Sequence, residues 1–134
     1  KKIKNNMLIK IPVSIGELVN KITILEIKKK IIKDKKKLIN IKNELEFLND
    51  ILKKKVKLDN LIKKEISSLK KINMKLWNIE DGKRNCEKNK NFGKKFLLLA
   101  RNVYIYNDKR AKIKLNINML TGSKIIEEKS YNKY

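Results

Sequence analysis

Between Gly16 and Gly82 the chain carries neither glycine nor proline. That stretch commits it to helix before any other feature is weighed. Apolar residues at Ile24, Ile27, Ile31, Leu38, Ile41, Leu45, Leu48 and Leu52 recur three and four apart, the spacing that gathers side chains on one face of a helix. Leu18, Ile22, Leu25 and Ile32 widen the stripe in its first half, and Asp34 is its single polar interruption. Ser14-Ile15-Gly16-Glu17 matches a capping box, in which the serine hydroxyl accepts from the third amide and the glutamate reaches back. The pattern predicts a helix from Ser14 to about Lys54, ~60 Å long if straight. The alternative is a bend near Lys33–Lys37, because seven of the ten residues from Lys28 to Lys37 are lysine.

A reversal is expected around Lys55–Asn60, with Asp59 or Asn60 as the next cap. Leu61, Ile62, Ile66, Leu69, Ile72, Leu76 and Ile79 then form a second stripe ending before Gly82. Antiparallel pairing would bury both stripes, with Trp77 anchoring the hairpin core. Residues 82–95 read as a polar loop or a short weak helix. A third helix is expected over 92–121, with Phe96, Leu99, Ala100, Val103, Ile113, Ile117 and Leu120 on its apolar face and Gly122 as C-cap. The reading is therefore a single all-α domain. Residues 1–13 form an extended lead-in, 14–81 a helical hairpin with a coiled-coil-like seam, and 122–134 a tail that pairs with the lead-in as a minor strand.

Composition excludes more chemistry than it suggests. Histidine is absent, which removes Ser–His–Asp and Cys–His nucleophile pairs, His-ligated zinc and imidazole acid–base catalysis. The lone cysteine, Cys86, builds neither an intrachain disulfide nor a thiolate metal site. No cofactor or metal is expected, and a reducing, cytoplasmic setting fits. No uncharged run approaches the ~20 residues needed to span a bilayer, so no membrane partner is expected. The formal charge is +22, smeared along the chain and densest after residue 82. Lysine, isoleucine and asparagine share A/T-rich codons, so mutational bias competes with selection for a polyanion as its origin.

Against that bias the exceptions are informative. Arg84, Arg101 and Arg110 are the only arginines, and two of them adjoin the only alanines, Ala100 and Ala111. A guanidinium binds carboxylate or phosphate bidentately, which an ammonium cannot do. Arg101, Asn102, Tyr104, Asn107, Asp108, Arg110 and Lys114 crowd the centre of the third helix. One reading is an anion pocket, with Asn107 orienting the ligand and Asp108 holding an arginine. The competing reading is a buried polar network that locks the helix in place. Glu17 and Lys21 stand four apart in the order that favours a surface ion pair. The run Lys28–Lys37 has no aromatic neighbours to stack bases and reads as a solvated face.

Four stretches resemble a family of short bacterial and phage proteins of unknown function: IPVSIGELVNKITILEIK (11–28), LWNIEDGKRNCE (76–87), LARNVYIYNDKRAKIKLNIN (99–118) and GSKIIEEKSY (122–131). They cover nearly half the chain, in order. The chain departs from that pattern at Asn20, where the family usually carries aspartate, at Gly82, where a larger residue is usual, and at Gly93, which replaces an acidic helix cap. The resemblance implies a polar set of Glu17, Lys21, Glu80, Asp81, Arg84, Arg101, Asn107, Asp108, Arg110, Glu127, Glu128, Lys129 and Tyr131. It implies no activity.

Three functional expectations follow. The first is a helical interaction or scaffold module that docks a protein partner or self-associates through its apolar seams. The second is a small all-helical enzyme or binding protein for an anionic metabolite or sugar nucleotide. Its ligand would be clamped by Arg101, Arg110, Arg84 and Lys21, with Glu17 or Asp108 orienting them. Nonspecific nucleic-acid binding ranks third.

Overall fold

Ser14 caps the first helix, α1 (Ile15–Ile31), its hydroxyl accepting from the Glu17 amide at 3.0 Å. Three more helices follow in a computed structural model that describes residues 7–133: α2 (Lys35–Lys55), α3 (Asn60–Lys88) and α4 (Lys94–Thr121). The chain is all-α, and no strand occurs among the described residues. The tail therefore forms no ladder with the lead-in, whose first six residues lie outside that range.

The first apolar seam folds as two helices. Ile32 leaves helical geometry with φ −74° and ψ 133°, and Asp34 restarts the helix by accepting from the amides of Lys36 and Lys37 at 2.9 and 3.2 Å. The polar interruption in the seam is thus an N-cap. Its carboxylate also offsets three lysines placed at the positive end of α2. α2 folds back along α1, and Asp59 caps α3 by accepting from Ile62 at 2.9 Å. α3 runs on past Gly82 to Lys88, so much of the expected loop is helix. Gly82 is tolerated because Leu99 of α4 packs where its side chain would be, 3.0 Å from an added Cβ.

α1 is the hub, packing on each of the other three helices, while α3 and α4 form a long pair. Leu18, Val19, Ile22 and Leu25 of α1 meet Ile41, Leu45 and Leu52 of α2, Val56, Leu69 of α3 and Ile117 of α4 in one core. Trp77 is half buried and lies outside that core. The anchoring role expected of it falls to Leu69 and Ile117, both fully buried. Gly122 ends α4 in the left-handed conformation, φ 67°, with the Ser123 amide donating to the Asn118 carbonyl at 2.9 Å.

Two substitutions test this frame. A Cβ at Gly16 would sit 2.5 Å from the Lys114 carbonyl oxygen, so Gly16→Ala is expected to cost about 1–3 kcal/mol, the range for overpacking a tight contact. Asp34→Ala is expected to cost about 1 kcal/mol through the lost cap. Urea unfolding midpoints measure both. Near-zero change at Gly16 would mean that α1 and α4 are not in close contact.

Candidate functional site

The site is built where α1 begins. The first amides of a helix have no partner within it, and here each finds one nearby. Ile15 donates to the Ser123 hydroxyl at 3.1 Å, Gly16 to Asn118 Oδ1 at 2.6 Å, and Glu17 to Ser14. Two of these acceptors come from the C-terminal end of α4 and the residue beyond its cap. The contact places Glu17 and Asn20, one turn apart on α1, against the central turns of α4.

Behind them runs a chain of buried polar groups. Asn73 of α3 donates through Nδ2 to Asn20 Oδ1 at 2.9 Å and to Thr23 Oγ1 at 2.8 Å. Its own oxygen accepts from Arg110 Nη1 at 3.2 Å, while Arg110 Nη2 donates to Asn107 Oδ1 at 2.7 Å. Among the described residues, the guanidinium's hydrogen bonds thus go to neutral amides. Burial lowers the Arg110 pKa from its usual value, opposed by the fields of Glu17 and Glu127. It stays charged throughout the physiological range.

In front, the buried Lys114 ammonium donates to Glu17 Oε2 at 2.6 Å and Glu127 Oε1 at 2.8 Å. Burial opposes the lysine's charge, but hydrogen bonds to Glu127 and Glu17 outweigh it and raise the Lys114 pKa. The same hydrogen bond, against some burial, holds Glu127 below the usual carboxylate range, with Lys129 contributing from 3.4 Å. Glu127 is the tail's anchor. Ser123 assists by donating to the Ile125 carbonyl at 2.7 Å.

Together α1, α4 and the tail enclose a cleft of about 520 Å³. On α4, Tyr104, Asn107, Asp108, Ala111 and Lys114 follow helical spacing along one face, with Arg110 beside them. Ala111 leaves room in the floor. Lys129, Tyr131 and Asn132 contribute from the tail. Charged, amide and phenolic groups line one volume, an arrangement able to hold a polar ligand by hydrogen bonds and charge.

Of the residues singled out from sequence, Glu17, Asn107, Asp108 and Arg110 meet in this cleft. Arg101, Arg84 and Lys21 do not line it. Arg101 precedes Arg110 by nine residues, two and a half turns, and so faces the other way. Arg84 lies three turns beyond Asn73, toward the far end of α3. Lys21 is exposed, and Glu17 pairs with Lys114 instead. Glu17 therefore completes only half of the capping box, its carboxylate serving the cleft. Asp108 forms no ion pair among the described residues, so the arginine is held by Asn73 and Asn107.

Sequence reasoning left Asn73 and Asn132 out of the site, noted Asn20 only as a departure from the family pattern, and counted Lys114 and Ala111 on the polar helix without giving them a place in the clamp. A signal existed for Asn73 and Lys114. Asn73 falls between Leu69 and Leu76 in an apolar stripe, and Lys114 shares the stripe of Asn107, Ala111 and Asn118. No group of residues able to hold a metal ion occurs among the described residues, and no described helix is long and apolar enough to cross a membrane.

Fold and site together define an all-α protein, with four helices among its described residues and a polar cleft closed on one side by its tail. Residues 9–134 match the model of DUF6165, a family of unknown function, and the chain belongs to that family. No curated protein and no solved structure matches it.

The Lys114 triad makes tail docking depend on pH at both ends. Because the Glu127 pKa is lowered on folding, its contribution is complete above the usual carboxylate range and is lost as pH falls through the folded value. Because the Lys114 pKa is raised, its contribution is complete below the usual lysine range and is lost as pH rises through the folded value. Amide relaxation of Lys129 and Tyr131 is expected to show a docked tail between these limits and a released one at acid pH. Lys114→Met is expected to release the tail at all pH values and to cost about 1–2 kcal/mol. That is less than for a fully buried pair, because Glu127 remains nearly half exposed. A tail equally ordered in this variant would show that the triad does not anchor it.

Proposed function

We propose that the protein binds a small anionic metabolite in the cleft between α1, α4 and the tail, with Arg110 receiving the anionic group. The observation that carries this reading is the company Arg110 keeps. It is half buried, and its hydrogen bonds among the described residues go to the amide oxygens of Asn73 and Asn107. Of the nearby carboxylates, Glu17 and Glu127 are both engaged by Lys114, and Asp108 lines the cleft without an ion pair to the arginine among the described residues. A guanidinium positioned by amides is oriented without being neutralised by contact, so its charge remains for a ligand. Lys129 adds a second cation, and Tyr104, Tyr131, Asn107 and Asn132 supply partners for hydroxyl or carbonyl groups. A sugar phosphate or sugar nucleotide combines those features.

The interaction-module reading drew on the apolar seams. Those seams are largely consumed within the chain, where Leu18, Ile22, Leu25, Ile41, Leu45 and Leu52 form its own core. Nucleic-acid binding through dispersed lysines would weaken steeply with salt, whereas a cleft ligand held by a half-buried arginine resists it.

A thermal-shift screen against sugar phosphates, sugar nucleotides and dicarboxylates, at low and moderate salt, tests the reading. Stabilisation by one class at both salt levels is expected. Arg110→Lys is expected to weaken that ligand about tenfold or more, the worth of one charge-assisted hydrogen bond. Arg101→Lys, outside the cleft, should leave it unchanged. Equal affinity in the Arg110→Lys and parent proteins would remove Arg110 from the site and the proposal with it.

A further inference from the structure

The cleft leaves one conspicuous group of residues unused, at the opposite end of the α3–α4 pair. No residue between Leu69 and Ile113 belongs to the main core cluster, and beyond the Gly82–Leu99 contact the two helices run on to the turn joining them. On the first turns of α4, Lys94, Leu97, Leu98 and Arg101 are spaced three and four apart, so each leucine has both cations as surface neighbours. Leu97 and Leu98 are each 59% exposed, and Phe92 at the turn is 54% exposed. Residues 83–101 carry seven cations against one carboxylate, a formal +6.

Water is a poor solvent for large apolar side chains left exposed at one tip, where Phe92 packs edge-on against Phe96 at 5.5 Å, and the surrounding charge restricts what covers them. A second copy of this chain would oppose one strongly basic tip to another. A nucleic acid would satisfy the cations but offers the two leucines no apolar medium. A bilayer surface rich in anionic lipid satisfies both. Its headgroups meet the cations, while leucine and phenylalanine enter the boundary of the acyl region to about 5–10 Å. We propose that the α3–α4 tip docks on an anionic phospholipid surface, with Leu97, Leu98 and Phe92 as the inserted groups. Arg101, which the cleft does not use, acts here as a headgroup ligand. Such peripheral contact needs no spanning helix.

Charge alone makes so basic a protein adhere to anionic vesicles, so the test preserves charge. Parent and Leu97→Asn/Leu98→Asn proteins are compared by flotation with vesicles of phosphatidylcholine, and of phosphatidylcholine and phosphatidylglycerol in equal parts, at about 0.15 M salt. Circular dichroism confirms that the exposed substitutions leave the helices intact. The parent is expected to float with the mixed vesicles only, and the double variant to lose that partitioning by about tenfold or more. Failure of the parent to float overturns the proposal. So does equal flotation of parent and variant, which would assign binding to dispersed lysines. A parent dimer in sedimentation that the variant abolishes would identify the occupant as a second copy and likewise overturn it.

Discussion

The approach of α1 to the C-terminal half of α4, closed at Gly16, is the contact on which the site depends. Any side chain at Gly16 would meet the backbone of α4 at Lys114. Because none is present, Asn118 reaches the Gly16 amide and Ser123 reaches that of Ile15. Helix-end amides that would otherwise lose water on burial become the means of docking. The same contact aligns Glu17 with Lys114 and Asn20 with Asn73, so the polar face of α4 acquires its partners from a single approach.

That polar interface has a cost that an apolar one would not. Several amides, an arginine and a lysine are withdrawn wholly or partly from water, and each must recover hydrogen bonds within the protein. Among the described residues every buried side-chain nitrogen or oxygen does so. Stability comes mainly from the neighbouring core of α1 and α2 with Leu69 and Ile117. The polar layer adds orientation, since amide–amide and amide–guanidinium bonds tolerate little displacement. Arg110 is thereby presented in a defined direction at the cleft wall, by groups that leave its charge in place.

The chain thus divides its chemistry along the α3–α4 pair. Near the C-terminus of α4, charge is balanced locally and enclosed by the tail. Near the N-terminus of α4, cations and apolar side chains face water together. The three arginines, alike in composition terms, fall into different surroundings because helical phase turns Arg101 away from Arg110, and Arg84 lies on α3 toward the tip, beyond Gly82 and its contact with Leu99.

The sequence by itself determined the helical class and most helix ends. Periodicity, the absence of glycine and proline, and short-range caps such as Ser14, Asp59 and Gly122 act within a few residues and are visible in one dimension. The polar crowding on α4 was equally legible, and it drew attention to Asn107, Asp108 and Arg110. Asp34 was visible too, but as a flaw in a stripe, because whether a polar residue interrupts a helix or starts the next depends on what the following helix packs against. Only the tertiary structure decided that Glu17 would serve Lys114 and not Lys21, that the tail would fold over the cleft, and that Asn73 would support Arg110. Those partners lie 97, 13 and 37 residues apart in the chain. Local propensity carries no information over such separations. They are set by which faces the core forces together, and here by one glycine that lets two backbones meet.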